Sequence, residues 1–314
     1  MKKTAFVFPG QGAQIPGMGK DLYENFTEVR SAMDAMAKQV PFDLLNLCFE
    51  GPKERLDQTS FTQPCLYAVS TAIYQLVHAR GCRADYHAGL SLGEYSALSC
   101  AGMLSYEEGV RLVHNRGLFM EQAVEKGKGA MAAIIGLDTA SIEEALDQAR
   151  ANGIVEIANY NYAKQTVIGG ETDAVQKAME LCKELGCKRA LPLPVSGPFH
   201  TSMLEPASKQ LAEYLEQISL HPEKLPVISN VTAKPYVSLD ESRELLARQV
   251  TSPVQWQKTV EYLVAQGVDT FVELGPGKTL SNFIKRIDRK VKTLHVEDSH
   301  TFALFLKERE EQTS

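Results

Sequence analysis

Short apolar runs alternate with segments of helical periodicity along the first third of the chain. An apolar run at residues 4–8 and a second predicted short strand at 84–88 each precede a glycine-rich turn. The apolar positions elsewhere recur with helical spacing and predict helices at residues 61–80, 92–101 and 106–126. Ser105 and Glu108 have the spacing of a capping box at the start of the last helix. Strands that alternate with helices in this way predict an α/β fold with a parallel-rich central sheet.

The pattern changes between residues 128 and 195. The predicted order there is strand, helix, strand, strand, helix and strand, at residues 130–136, 141–151, 155–158, 166–168, 173–185 and 188–192. This order is typical of a ferredoxin-like unit. We therefore predict a ferredoxin-like subdomain at 128–195, inserted into a large hydrolase-like α/β domain made of 1–127 and 196–314. Strands at 227–229 and 270–274 and a helix at 279–287 would complete the large domain.

The composition, with 44% hydrophobic and 23% charged residues in 314, is that of an ordinary globular protein. The first apolar run stops at Pro9, too early for a signal-peptide core, and no segment approaches the roughly 18 apolar residues of a membrane span. Six cysteines show no metal or redox spacing and are expected to be reduced. These features predict a cytoplasmic protein with no membrane segment.

The formal net charge of −6 argues against a nucleic-acid partner, because nucleic-acid binders are usually basic. A protein partner remains open, since an acidic molecule can carry a local basic patch.

Ser91 lies in the pentapeptide Gly89-Leu90-Ser91-Leu92-Gly93, between a predicted strand and a predicted helix. A Gly-x-Ser-x-Gly sequence places serine on a sharp strand-to-helix turn, where it can act as a nucleophile. The free N–H groups at the start of the helix could then stabilise an oxyanion. The alternative is a glycine-serine loop without chemistry.

A serine nucleophile needs a base, and the chain has seven histidines. His200 stands in a loop, Gly197-Pro198-Phe199-His200, of the kind in which functional residues are common. His87 is expected to pack beside the sheet, and His114 to be structural. The others are expected at the surface or in the C-terminal tail region: His78, His221, His295 and His300. A solvated loop histidine is the alternative for His200.

Arg116 lies on the apolar face of its predicted helix. At about 100° per residue it falls about 60° from Val113, and Met120 falls about 20° from Val113 on the same side. A buried cation needs an anionic partner. That partner would be either a core Asp or Glu, in a structural ion pair, or the carboxylate of a substrate held by the guanidinium fork.

Two glycine motifs do not indicate a nucleotide cofactor. A dinucleotide-binding fingerprint that begins with Gly10-x-Gly12 would need a third glycine at position 15, which is Ile15. A phosphate-binding loop that ends in Gly277-Lys278-Thr279 would need its first glycine at position 272, which is Val272. Both loops follow predicted strands, so we expect them at the carboxyl edge of the sheet beside Ser91.

Six motifs in order resemble the malonyl-CoA:acyl carrier protein transacylases over nearly the whole chain. They are Phe8-Pro9-Gly10-Gln11-Gly12-Ala13-Gln14, Gly89-Leu90-Ser91-Leu92-Gly93-Glu94-Tyr95, Arg116, Gly197-Pro198-Phe199-His200, Gln249 before Ser252-Pro253-Val254, and Glu273-Leu274-Gly275-Pro276-Gly277. The resemblance implies that Ser91 and His200 form a catalytic dyad. It also implies that a backbone carbonyl near Gln249 holds the histidine, and that the backbone N–H groups of Gln11 and Leu92 form the oxyanion hole.

The resemblance also assigns Arg116, Met120 and Phe199 to substrate binding. In the resembling acyltransferases, phenylalanine before the histidine is common where malonyl is the substrate, and a smaller residue where methylmalonyl is. Two positions depart from the family pattern: Leu90 stands where histidine is usual, and Gln255 where arginine is frequent. Neither departure concerns a proposed catalytic atom.

The implied reaction is ping-pong transfer of malonyl from malonyl-CoA to the phosphopantetheine thiol of acyl carrier protein, for fatty acid synthesis. It requires no metal or redox cofactor, and the enzyme is expected to be a monomer. The alternatives are a trans-acting malonyltransferase of a polyketide synthase, a serine acyl hydrolase and a non-catalytic carrier-docking module. A hydrolase would not need Arg116.

Overall fold

Two β-sheets organise the fold. The computed structural model describes residues 3–195 and 197–313. The strands are β1 (Lys3–Phe8), β2 (Tyr86–Gly89), β3 (Gly129–Ile135), β4 (Val155–Tyr162), β5 (Gln165–Glu171), β6 (Arg189–Pro192), β7 (Val227–Ile228), β8 (Val268–Leu274) and β9 (Lys292–Val296). The helices are α1 (Lys20–Asn25), α2 (Thr27–Ala37), α3 (Leu44–Glu50), α4 (Lys53–Leu56), α5 (Thr59–Ala79), α6 (Leu92–Cys100), α7 (Tyr106–Gln122), α8 (Thr139–Ala149), α9 (Thr172–Glu184), α10 (Glu205–Leu215), α11 (Leu239–Gln249), α12 (Trp256–Ala265), α13 (Thr279–Ile287) and α14 (Ser299–Thr313).

The large sheet is parallel and has the order β7-β2-β1-β8-β9. Its central strand, β1, is buried from Ala5 to Phe8. Alternate side chains of this strand enter different cores: Phe6 and Phe8 join one cluster, and Ala5 and Val7 join another with Trp256. The run is continuously apolar because both faces of the sheet are covered. The predicted parallel-rich central sheet is confirmed.

The parallel strands bring three loops to one edge of this sheet. The loop after β1, the Ser91 turn after β2 and the loop at residues 275–278 after β8 all follow carboxyl ends of neighbouring strands. Gly275 has φ +144°, and a Cβ there would lie 2.6 Å from the Pro9 ring. The close approach of these loops therefore requires glycine.

The second sheet is antiparallel, with the order β4-β5-β3-β6, and packs with α8 and α9 around its own core. This arrangement is ferredoxin-like, as the sequence predicts. Strand β4 also contacts the segment before α12, where Tyr160 N–H donates to the Val254 carbonyl (2.9 Å) and Val254 N–H to that of Ala158 (2.9 Å). The predicted domain boundary at residue 196 lies outside the described residues.

Two predictions for the helical and C-terminal regions are wrong in detail. Helix α7 ends at Gln122 instead of residue 126, because a turn closed by Lys128 N–H on the Glu125 carbonyl, with Gly127 at φ +86°, leads the chain into β3. The C-terminal region is structured where a tail was expected: His295 lies in β9 and His300 in α14. The pattern of β9 is weak because it is a partly exposed strand at the sheet edge.

Candidate active site

Ser91 occupies a strained turn between β2 and α6, with φ 54° and ψ −107°. The flanking glycines are required by packing: a Cβ on Gly93 would lie 2.0 Å from the Phe8 carbonyl oxygen, and one on Gly89 would lie 2.0 Å from the Gly93 carbonyl carbon. Hydrogen bonds hold the turn, since Ser91 N–H donates to Asn230 Oδ1 (2.6 Å) and Gln249 Nε2 donates to the Ser91 carbonyl (3.0 Å). Strain fixed in this way is typical of functional sites.

His200 faces this serine. Its Nε2 lies 2.8 Å from Ser91 Oγ, and its Nδ1 lies 2.8 Å from the backbone carbonyl oxygen of Gln249. Because a carbonyl can only accept, Nδ1 carries the proton and Nε2 presents a lone pair to the serine hydroxyl. Burial, with the nearby Arg116 charge as the second cause, lowers the pKa of His200 to about 4. The imidazole is therefore neutral near pH 7 and able to accept a proton.

Arg116 enters the same site from α7 and is 1% exposed. One terminal nitrogen donates to Gln63 Oε1 (2.8 Å), and the other to Gln249 Oε1 (2.8 Å) and Ser91 Oγ (3.2 Å). The guanidinium also lies 5.0 Å from the centre of the Tyr95 ring. Within residues 3–195 and 197–313, no carboxylate lies within 4.0 Å of it. The structural ion pair considered from the sequence is therefore absent from the described chain.

A cavity of about 220 Å³ opens beside Ser91, between the carboxyl edge of the large sheet and the antiparallel sheet. Every predicted site residue except Gln249 lines it: Gln11, Ser91, Leu92, Arg116, Met120, Phe199 and His200. Gln249 lies behind the cavity, where it contacts Ser91, Arg116 and His200. Leu92 is the first residue of α6, so its N–H belongs to the helix end that has no intrahelical acceptor.

The antiparallel sheet contributes residues that the sequence reasoning did not identify. Asn159 and Asn161 of β4 line the cavity, and Asn161 Oδ1 is buried with no hydrogen-bond partner in the described part of the chain.

The turn at Ser91 is held from behind by two further residues that were not predicted, Asn230 and the fully buried Glu94. The sequence could have indicated Glu94, because it is the only charged residue of α6. It contains no comparable indication for Asn230, which follows a strand of only two residues.

The other histidines lie elsewhere. His87 is buried and stacks on Phe6, with ring centres 5.8 Å apart, and His114 Nδ1 contacts the Ser60 carbonyl at 2.9 Å. In the described part of the chain, no three His, Cys, Asp or Glu side chains are grouped so that they could hold a metal ion. None of the described helices is long and apolar enough to cross a membrane.

The two departures from the family pattern have separate positions. Leu90 lines the cavity, and its carbonyl oxygen would lie 2.3 Å from a Cβ on Gly10, so the first loop must have glycine there. Gln255 precedes α12, and its N–H donates to the Asn230 carbonyl at 2.9 Å.

A serine on a strand-to-helix turn, with a neutral histidine against its hydroxyl, is the arrangement of enzymes that form an acyl ester on serine, transferases and hydrolases alike. The acyl transferase domain family matches residues 5–305. The malonyl CoA-acyl carrier protein transacylase of Bacillus subtilis (strain 168) is 42% identical over 99% of both chains. That of Escherichia coli (strain K12) is 46% identical over 91% of this chain and 93% of its own.

Solved structures agree with this assignment. The malonyl-transacylase in a complex with a type II polyketide synthase acyl carrier protein superposes with a TM-score of 0.96, at 41% identity over 98% of this chain and 100% of that one. The chain therefore belongs to the acyl transferase family, within the malonyl CoA-acyl carrier protein transacylases.

Proposed function

We propose that the protein transfers a malonyl group from malonyl-CoA to the phosphopantetheine thiol of acyl carrier protein, in fatty acid synthesis, through a malonyl ester on Ser91. One observation carries the choice of acyl group. The buried guanidinium of Arg116 lies beside the nucleophile with no carboxylate of the described residues within 4.0 Å. An acyl group that ends in a carboxylate would supply the missing counter-charge.

In the first half-reaction, His200 Nε2 takes the Ser91 hydroxyl proton and Oγ attacks the thioester carbonyl carbon of malonyl-CoA. The carbonyl oxygen becomes an oxyanion, for which the backbone N–H groups of Gln11 and Leu92 are the proposed donors. The C–S bond then breaks, and the CoA sulfur takes the proton from His200. The Gln249 carbonyl, which accepts from Nδ1, stabilises the imidazolium formed between these steps.

In the second half-reaction, the carrier thiol gives its proton to His200 and its sulfur attacks the ester carbonyl. Ser91 Oγ leaves and recovers the proton, so that the enzyme returns to its starting state. In both halves the malonyl carboxylate would lie on Arg116, with Met120 and Phe199 as the apolar wall of the cavity. Burial is the main cause of the lowered pKa of His200, and the guanidinium charge is the second. The malonyl carboxylate would offset that charge, which makes the histidine a stronger base once substrate is bound.

Acyl carrier protein as the partner is supported by the similar transacylase whose solved structure contains one. We also propose the division predicted from the sequence, with a ferredoxin-like subdomain at 128–195 within a large domain of 1–127 and 196–314. A cytoplasmic location, a monomeric state and the absence of a metal or redox cofactor stay predictions.

The experiment is incubation with malonyl-CoA labelled in the malonyl group, with and without holo acyl carrier protein. The proposal predicts label on the protein itself without the carrier, and label on the carrier thiol when it is present. Release of free labelled malonate at the same rate in both reactions would instead indicate a hydrolase and contradict the proposal.

A further inference from the structure

Glu94 is a buried carboxylate immediately behind the nucleophile. It is the third residue of α6 and has no exposed surface. One carboxylate oxygen accepts from the backbone N–H of Asn230 (3.1 Å) and from the Tyr236 hydroxyl, and the other accepts from Gln249 Nε2. No Lys, Arg or His nitrogen in the described part of the chain lies within 4.0 Å of it. The donors that hold this carboxylate are therefore all neutral.

The Gln249 amide lies between Glu94 and Arg116. Its Nε2 donates to Glu94, and its Oε1 accepts from Arg116 at 2.8 Å. Burial raises the pKa of Glu94 to about 7, so the carboxylate is ionised above that pH; it can then only accept, and it requires the NH₂ end of this amide to face it. The oxygen end must then face the guanidinium. Glu94 and the Ser91 carbonyl, which accepts from the same Nε2 (3.0 Å), therefore both require the amide oxygen of Gln249 to face Arg116.

The direction of this amide matters for Ser91. The Arg116 nitrogen that donates to Gln249 Oε1 also donates to Ser91 Oγ at 3.2 Å. If the amide turned over, its NH₂ would face the guanidinium, and two donors would repel each other. Arg116 would then lose one of its two amide acceptors and leave its position beside the nucleophile.

The other oxygen of Glu94 acts on the backbone of the turn. It accepts from the N–H of Asn230, whose side chain accepts from Ser91 N–H (2.6 Å) and donates to the Gly89 carbonyl (2.6 Å). One carboxylate is therefore connected to both the carboxylate-binding residue and the strained serine.

We propose that Glu94 is a positioning residue: its carboxylate fixes the direction of the Gln249 amide and so holds Arg116 in place for a carboxylated acyl group. The inference rests on the proposed function and extends it to a residue outside the cavity. Glu94 touches neither Ser91 Oγ nor the cavity, so it acts through its hydrogen bonds to Gln249 and Asn230 and through the attraction between its charge and that of Arg116.

The test is Glu94→Gln, measured at about pH 8, where the wild-type Glu94 is ionised, as the rate of self-acylation by malonyl-CoA and by acetyl-CoA. A glutamine that keeps its oxygen toward Asn230 and Tyr236 presents NH₂ to Gln249, whose amide must then turn its NH₂ toward Arg116. We expect the malonyl kcat/KM to fall roughly ten- to a hundredfold, the range for losing a charged hydrogen bond. Acetyl transfer does not use the guanidinium fork, so the malonyl-to-acetyl ratio should fall as well.

Glu273→Gln is the matched control. Glu273 is also a fully buried carboxylate whose pKa burial raises to about 7, as it does for Glu94, but it accepts from the backbone N–H groups of Leu280 and Ser281 at the start of α13. Its loss should lower the melting temperature and leave the malonyl-to-acetyl ratio unchanged. A folded Glu94→Gln protein with a wild-type ratio would overturn the inference.

Gln249→Leu provides a second test if Glu94→Gln fails to fold. It keeps the backbone carbonyl that holds His200 and removes only the amide, so the ratio should fall here too. An unchanged ratio in Gln249→Leu would equally overturn the inference. Failure of the proposed function has a different result, because the wild-type protein itself would then take up no malonyl group.

Discussion

Ser91 Oγ and His200 Nε2 lie 2.8 Å apart, although the two residues are 109 positions apart in the chain. Ser91 follows β2 at the carboxyl edge of the large sheet, whereas His200 follows β6, the last strand of the antiparallel sheet. Both have positive φ values, 54° and 62°, which L-residues rarely adopt. The two sheets therefore each deliver one strained residue to a common point.

Replacing the base should slow both half-reactions. We expect His200→Ala to reduce malonylation by malonyl-CoA and transfer to the carrier thiol by ~10²–10⁴-fold each, the usual contribution of general acid–base catalysis. Rapid-quench measurement of each half-reaction checks this. His114→Ala is the control, since that ring contacts the Ser60 carbonyl and not Ser91. A loss below about tenfold would mean that another group is the base.

His200 should remain neutral well below its ordinary pKa of 6.5, because burial lowers that pKa to about 4. Between these values the unfolded chain binds more protons at this position than the folded one, so its contribution to the free energy of unfolding decreases as the pH falls. Burial raises the pKa of Glu94 and Glu273 to about 7, so their contribution to the free energy of unfolding increases as the pH falls, and total stability does not isolate His200. NMR titration of the His200 ring measures its pKa directly. A midpoint near 6.5 would contradict this assignment.

Arg116 should select for a carboxylated acyl group. Arg116→Ala should cost malonyl transfer about 3–5 kcal/mol, because the substrate carboxylate would enter a buried site unpaired. Arg116→Lys should recover only part of this, since an ammonium lacks the planar fork. The ratio of kcat/KM for malonyl-CoA over acetyl-CoA measures the effect. Arg111→Ala is the control on the exposed side of α7. Equal losses for both substrates in Arg116→Ala would make the arginine a structural residue.

Phe199 should limit branching next to the thioester. The ring is buried, lines the cavity and immediately precedes His200. Phe199→Ser should relax the preference for malonyl over methylmalonyl by ~1–3 kcal/mol, the scale of one methyl group in a pocket. Competition between the two CoA esters, with the products weighed by mass spectrometry, gives this ratio. An unchanged preference would place Phe199 outside the selectivity pocket.

The central strand β1 was predictable from the sequence because both of its faces are buried and its apolar run is continuous. The ferredoxin-like order was predictable from its alternating elements. Helices α1 to α4, α11 and α12 were not identified; α1, α3 and α4 have only four to seven residues. Helix α14 lies beyond an edge strand with a weak pattern.

The site was predictable to different degrees. Ser91 has a local motif, and Arg116 stands out as a cation on an apolar helix face. His200 alone would have remained an ordinary loop histidine without the other five motifs. The contacts of Glu94 with Asn230 and Gln249 span 136 and 155 positions, and no local pattern encodes a hydrogen bond at such a separation.

The central claim is that Ser91 carries the malonyl group, and locating the adduct tests it most directly. Malonyl-CoA alone should add one malonyl group, which peptide mapping by mass spectrometry should place on Ser91. Ser91→Ala should abolish the adduct, and Ser96→Ala, in the helix α6 that follows Ser91, should retain it. The free thiols, of which Cys187 is the most exposed, are the competing sites. An adduct on a cysteine, or one that persists in Ser91→Ala, would contradict the account.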